Sequence, residues 1–303
     1  ASPYLMDMVD LTCKDRVVML TSRGCSYDCA FCYTPRASRR KVRFYSPERI
    51  IEEMKYLKSR GIRAFWFADT NFSFSRKRLV TLLEAIIREV PGITFWCQTR
   101  YDLVNRGLLS LLKRAGADNV AYGLESANPP VLERINKPID LEHLSEVIRL
   151  TQEAGMNVEL FSMFGLPGET FDQALGTLEF VKKNRVAIEG NSISQQAHLF
   201  FGTPMNDDAS AYGIRPFRHT RPAYLSVCRD YETDTMSADE IRRMSLIWRL
   251  SRNDLVEDVQ AGRNLFHRAA FITQNRGLMT DRPGAACLLT RVYLALEEYG
   301  AAL

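Results

Sequence analysis

Apolar residues along this chain fall into two alternating rhythms. Short runs rich in β-branched and aromatic residues, at "RVVMLTS" (16–22), "RAFWFAD" (63–69), "ITFWCQT" (93–99), "NVAYGLE" (119–125), "NVELFSMFG" (157–165) and "NSISQQAHLF" (191–200), read as buried strands. Between them lie stretches whose apolar positions recur at helical spacing: 46–61, 76–90, 106–116, 141–155 and 171–184. The first helix carries its own punctuation. Ser46 is placed as its N-cap, Pro47 takes the first helical position, Gly61 stops it, and Ile50, Ile51, Met54 and Leu57 make one apolar face. Strand and helix in alternation predict a parallel sheet with right-handed crossovers. Six such units are too few for a closed eight-stranded barrel. The fold class is therefore α/β, a partial (β/α)6 barrel, with functional groups expected at the carboxyl ends of its strands.

Past residue 205 the rhythm stops. "GTPMNDDASAYGIRPFRHTRP" is rich in turn residues and reads as a connection, after which helical periodicity returns at 237–259, capped by Ser237, and at 285–300. The expected organisation is a linker-like segment (1–15), the partial barrel (16–205) and a mainly helical extension (206–303) that packs on it.

Composition changes this picture little. With 46% hydrophobic and 25% charged residues the chain is an ordinary folded protein. No apolar run approaches the ~20 residues needed to cross a bilayer, and no amino-terminal targeting pattern is visible, so a membrane is not an expected partner. A net charge of +4 is a weak sign of nucleic-acid binding. One local cluster, Arg36, Arg39, Arg40, Lys41 and Arg43, reads either as a solvated loop or as a site for an acidic substrate or cofactor phosphate.

The chemistry concentrates in "TSRGCSYDCAFCYTPR" (21–36), where Cys25, Cys29 and Cys32 are separated by three and two residues. Seven cysteines in a chain this large point to a reducing compartment, the cytoplasm, and to a metal rather than a disulfide framework. A zinc site would need a fourth ligand from elsewhere, from among His143, His198, His219 and His267. An iron–sulfur cluster normally takes four thiolates, so three leave one iron open. Cys13, Cys97, Cys228 and Cys287 lack pairwise metal spacing and read as structural.

CxxxCxxC beyond the first strand of a partial barrel, with Phe31 just before the last cysteine, resembles the radical S-adenosylmethionine (SAM) superfamily. The similarity extends over roughly 16–205. It implies a [4Fe–4S] cluster on Cys25, Cys29 and Cys32, with SAM chelating the open iron and cleaved reductively. In "FADTNFS" (67–73) it nominates Asp69, Thr70 and Asn71 for the SAM amino group, although the family's more usual Gly-Gly-Glu is absent. In "YGLES" (122–126) it nominates Glu125 and Ser126 for the ribose and carboxylate. In "GLPGET" (165–170) Gly165 and Gly168 are the adenine-side turn, with Phe31 beside the adenine, and "HLFFGTP" (198–204) resembles the last strand end. Taken alone, Glu125 would be an ordinary surface carboxylate and the glycines mere turn residues.

"SRGCSYDCAFC" and "YGLESANPPVLERINKP" resemble the cobalamin-binding branch of that superfamily, many of whose members are methyltransferases. The cysteines begin at residue 25, so cobalamin is expected only if a domain outside this chain supplies it. Implied reactions are methylation, rearrangement or C–C or C–P bond formation on a small molecule. The alternatives are aminocarboxypropyl transfer from SAM, a non-catalytic zinc-stabilised binding module, and an RNA-binding or RNA-modifying protein suggested by the basic cluster. The implied partners are a small-molecule substrate and an electron donor such as flavodoxin or ferredoxin, with nucleic acid not expected. No catalytic acid, base or radical donor is assigned, although Tyr212, His219, Tyr224 and Cys228 fall in the unpatterned connection.

Overall fold

In the computed structural model the described residues are 2–12, 14–187, 195–217, 227–228 and 231–250. The elements run β1 (Arg16–Met19), β2 (Ser22–Arg23), α1 (Thr34–Ser38), β3 (Arg43–Phe44), α2 (Pro47–Ser59), β4 (Ala64–Phe67), α3 (Arg76–Glu89), β5 (Thr94–Thr99), α4 (Arg106–Ala115) and β6 (Ala117–Glu125). There follow α5 (Pro129–Arg134), α6 (Leu141–Glu153), β7 (Asn157–Phe164), α7 (Phe171–Lys183) and β8 (Gln195–Gln196). The chain divides into two compact units, Ala1–Leu124 with Lys137–Glu159, and Glu125–Asn136 with Leu160–Leu303.

The first unit is built on strands β1, β4, β5 and β6, each paired in parallel with the next in that order. Alternation decides which residues form its core. Val17, Met19, Phe65 and Phe67 are buried on one strand face. Their neighbours Val18 and Trp66, in register with each other, point to the opposite face and are 49% and 39% exposed. Trp66 meets the buried Trp96 edge to face, with ring centroids 5.1 Å apart.

Helix α2 forms as its sequence predicts: Ser46 accepts a hydrogen bond from Arg49 N, Pro47 opens the helix, and Ile50, Ile51, Met54 and Leu57 are buried. Each such side chain contributes roughly 1.5–3 kcal/mol by leaving water. Asn105 and Asp140 cap α4 and α6 in the same way. In this part of the chain α1, α5 and the β2–β3 pair have no counterpart in the sequence reading. The pair is two residues long on each side and puts Arg23 opposite Arg43.

In the second unit, β7 pairs in parallel with β8 through Met163 and Phe164. Helix α7 opens with a capping box, Thr170 accepting from Gln173 N while the Gln173 side chain accepts from Thr170 N. The segment read as a connection contributes two short antiparallel pairings. β9 (Leu199–Phe200) pairs with β11 (Val227–Cys228), and β10 (Ile214–Pro216) pairs with β12 (Tyr231–Thr233). A last helix of the described residues (Ala238–Leu250) contacts α7 and buries Ile241, Met244, Ile247 and Trp248. The expected helix at 285–300, and His219, Tyr224, His267, Cys13 and Cys287, lie outside the described residues. Among the described residues no helix is long and apolar enough to cross a membrane.

Candidate metal centre

The cysteine loop leaves β1 and is braced from beneath by β4. The Asp69 carboxylate, with no exposed surface, accepts from Thr21 N at 2.9 Å, from Thr21 Oγ at 2.8 Å and from Ser22 Oγ. Burial raises the Asp69 carboxyl above its ordinary range, and the Ser22 and Thr21 donors pull it back. Next along the chain, Thr70 Oγ donates to Gly24 O at 2.6 Å. Arg78 from α3 closes the third side, its Nη2 donating to Thr21 O at 2.8 Å and Tyr45 O at 2.7 Å.

Gly24 sets the turn into the cysteines. Its φ of +95° lies in the region that favours glycine, and an added Cβ would fall 2.1 Å from Lys41 O and 2.8 Å from Ser38 Cβ. We expect Gly24→Ala to destabilise the fold by about 2 kcal/mol or more, read as a lowered urea midpoint, and to reduce metal retention with it.

Cys25, Cys29 and Cys32 form no disulfide and are half-buried. Ser38 Oγ laces the loop to α1, accepting from Cys25 N at 3.3 Å, and Cys32 N donates to Cys29 O at 3.1 Å. Burial raises the Cys25 thiol, and the nearby Cys32 adds to this, while the Tyr27 N–H and the cations Arg100 and Lys137 act in the opposite sense. Phe31 lies under Lys137, whose Nζ is 6.0 Å from the ring centroid. Among the described residues no group of three His, Cys, Asp or Glu is arranged to hold a single metal ion. A cluster makes a different demand, one thiolate on each of several irons, and three cysteines outside any disulfide on one braced loop fit it as a donor set.

The three residues nominated for a ligand amine differ in what they have left to offer. The acceptor atoms of Asp69 are spent on Thr21 and Ser22. Asn71 Oδ1 accepts from Ser73 N at 3.1 Å and Thr99 Oγ at 2.9 Å, and because Ser73 N can only donate, the amide cannot be flipped. The remaining Asn71 Nδ2 is buried and is a donor. Thr70 keeps an exposed hydroxyl with lone pairs free to accept.

The second unit holds the other nominated residues. Glu125 is 6% exposed and adopts φ +59°, a left-handed conformation unusual for a residue with a side chain. Ser126 is sealed: its Oγ donates to Glu169 Oε1 at 3.0 Å and accepts from Asn128 Nδ2 at 2.9 Å. Gly165 and Gly168 both have φ +75°, and their Cβ directions meet Tyr231 and Ile241 in one case and Arg134 in the other. Tyr231 Oη lies 2.9 Å from Gly165 O and 2.8 Å from Ala197 O, tying the turn to the end of β8.

Glu169 is the residue here that sequence reading passed over. Its carboxyl is fully buried against Ser126 Oγ and Leu166 N, and burial pushes its pKa up to about 7 from an ordinary 4.5. The folded chain therefore holds a proton that the unfolded chain releases between about pH 4.5 and 7, so stability is greatest below that window and falls as pH rises through it. Relative to Glu169→Gln, whose amide does not titrate, the parent chain is expected to lose up to about 3 kcal/mol across the window, measured by denaturant unfolding at several pH values. The available signal was a carboxylate directly after Gly-Leu-Pro-Gly in an otherwise apolar neighbourhood.

The comparisons follow the same ground. The family profile described as the Radical SAM superfamily matches residues 19–181. An uncharacterised methyltransferase of Pyrococcus horikoshii is 30% identical over 167 residues, 55% of this chain and 36% of its own length. The radical SAM methyltransferase TsrM from Kitasatospora setae, solved with cobalamin and a [4Fe-4S] cluster, superposes with a TM-score of 0.59 at 21% identity, covering 73% of this chain and 41% of that one. OxsB, a cobalamin-dependent SAM radical enzyme solved with aqua-cobalamin and SAM, superposes with a TM-score of 0.63 at 15% identity, covering 93% and 50%. The fold is accordingly the α/β partial barrel expected from the sequence. The chain spans about a third of the length of the curated relative and at most half of either solved structure.

Proposed function

Because the chain belongs to the Radical SAM superfamily, its profile covering more than half of the residues, we propose that it is the SAM-cleaving module of an enzyme acting on a small molecule. The observation that carries this reading is the loop of three cysteines, none in a disulfide, braced by Asp69, Thr70 and Arg78 beyond the end of β1. When bound, a [4Fe–4S] cluster supplies the electron that breaks a SAM carbon–sulfur bond. Cys25, Cys29 and Cys32 would hold it. Thr70 accepts from the SAM amino group with its open hydroxyl, while Asp69 and Asn71 act behind it by fixing the strand end. Glu125 and Ser126 serve the ribose and carboxylate side, Gly165 and Gly168 the adenine side, and Phe31 lies against the adenine. For Ser126 the contact falls to the backbone, since its hydroxyl is already engaged.

The Pyrococcus horikoshii protein and TsrM, both described as methyltransferases, favour methyl transfer. The exposed Arg23, Arg39, Lys41 and Arg43 beside the cysteine loop suit docking of an acidic one-electron donor such as flavodoxin or ferredoxin. A cytoplasmic location accords with the need to keep the thiols reduced.

The test is anaerobic reconstitution with iron and sulfide, addition of SAM and a strong reductant, and mass spectrometry of the cleavage products. 5′-Deoxyadenosine or S-adenosylhomocysteine supports the reading. Methylthioadenosine redirects it to aminocarboxypropyl transfer. Zinc in place of a cluster, with no cleavage, overturns it.

A further inference from the structure

Immediately after β5 the sequence reads Arg100-Tyr101-Asp102, and the backbone turns into a single 3-10 turn over Tyr101–Leu103. The turn lets Asp102 fold back on Arg100. Nε donates to Oδ1 at 2.9 Å and Nη2 to Oδ2 at 2.7 Å, a two-point grip that fixes the plane of the guanidinium. The guanidinium carbon lies over the ring of Tyr27, 4.2 Å from its centroid, and Tyr27 is also stacked on Phe74, with ring centroids 5.8 Å apart. Tyr27 sits between Cys25 and Cys29 in the chain. The cysteine loop is thus held at its middle through an aromatic ring that contacts both a cation and a phenyl group.

The cation is well seated. Its side chain is 20% exposed. Burial works against the Arg100 charge, and Asp102, followed by Tyr27 and Cys29, more than restores it. Cys25 also lies within electrostatic reach of Arg100. Lysine would not serve in the same way: an ammonium makes neither the planar stack nor the two-point contact.

Resting on the cluster reading above, we propose that Arg100 is a positioning residue with two effects: it holds Tyr27, and so the Cys25–Cys29 span, in place, and it sets a fixed positive charge beside the cluster that favours its reduced state. Reduction adds one negative charge to the cluster, and a nearby cation in a partly dehydrated setting stabilises that charge. Asp102 opposes this effect electrostatically while orienting the guanidinium.

The full chain, reconstituted anaerobically without SAM or substrate, is assayed for iron content and for the ratio of reduced to oxidised cluster at a fixed potential by electron paramagnetic resonance. Arg100→Met is expected to lower that ratio about tenfold, equivalent to about 59 mV for a one-electron couple. Arg100→Lys keeps the charge and is expected to hold the ratio near the parent value while retaining less iron. Asp102→Asn removes the opposing charge and is expected to raise the ratio. Should Arg100→Met retain no cluster, Asp102→Asn decides: a raised ratio supports the proposal and an unchanged one overturns it. Arg100→Met with parental ratio and iron content overturns it outright. A parent chain that takes up no cluster removes this inference together with the reading beneath it, whereas a loaded parent whose variants leave the ratio unmoved removes this inference alone.

Discussion

Cys29→Ala, and equally Cys25→Ala or Cys32→Ala, is expected to abolish cluster uptake and reductive SAM cleavage. Loss of a partner one step removed from a metal commonly costs about 10–100-fold, and removal of one of three thiolates strips an iron of its protein ligand altogether. The loop offers no substitute, since it contains three cysteines and the next described one, Cys97, is buried in β5 with its thiol strongly disfavoured from ionising by desolvation. The measurement is iron and sulfide per chain together with the yield of 5′-deoxyadenosine. Unfolding should be little affected, because the half-buried thiols are not part of the packed core. A single cysteine variant that retains cluster and cleavage would show that the ligand set has been misassigned.

Asp69→Ala is expected to produce the largest loss of stability of any single polar change near the loop, about 3 kcal/mol. Its carboxylate collects donors from Thr21 and Ser22, all without access to water. The hydroxyls can turn to other partners, but Thr21 N cannot, and an unsatisfied buried amide pays its full desolvation cost. Arg78, which also holds Thr21, loses the negative charge that offsets its burial. Asp69→Asn separates the two roles: its oxygen can still accept from Thr21 N while its amide faces hydroxyls able to accept. It should cost about 1 kcal/mol and leave most of the cluster loading intact. Urea midpoints for the two variants check the order, and equal losses would contradict the hydrogen-bond account.

Much of the scaffold was legible in the sequence because it is written locally. The apolar period located the five helices that alternate with the strands to within two residues at either end, and Ser46 with Pro47 marked a helix start that the structure reproduces. The short pieces were not legible. β2 and β3 are two residues each and pair through backbone atoms, which carry no compositional signal. In the site, the cysteine spacing was visible, but the partnership of Asp69 with Thr21 spans 48 positions and could not be read from either neighbourhood. The family resemblance that nominated Asp69 for a ligand carried no sign of these contacts with Thr21 and Ser22. Arg100 and Glu169 escaped notice for the same reason: their importance lies in Tyr27 and Ser126, each far away along the chain.

Trp66 gives the molecule a built-in optical probe. Of the three tryptophans, Trp96 and Trp248 are dry, whereas Trp66 is 39% exposed on the sheet face turned away from the core. The red edge of the emission therefore belongs to one indole at a known position. Anything that settles over that face will shift the spectrum toward the blue, so occupancy can be followed by light alone, without a label or a turnover assay.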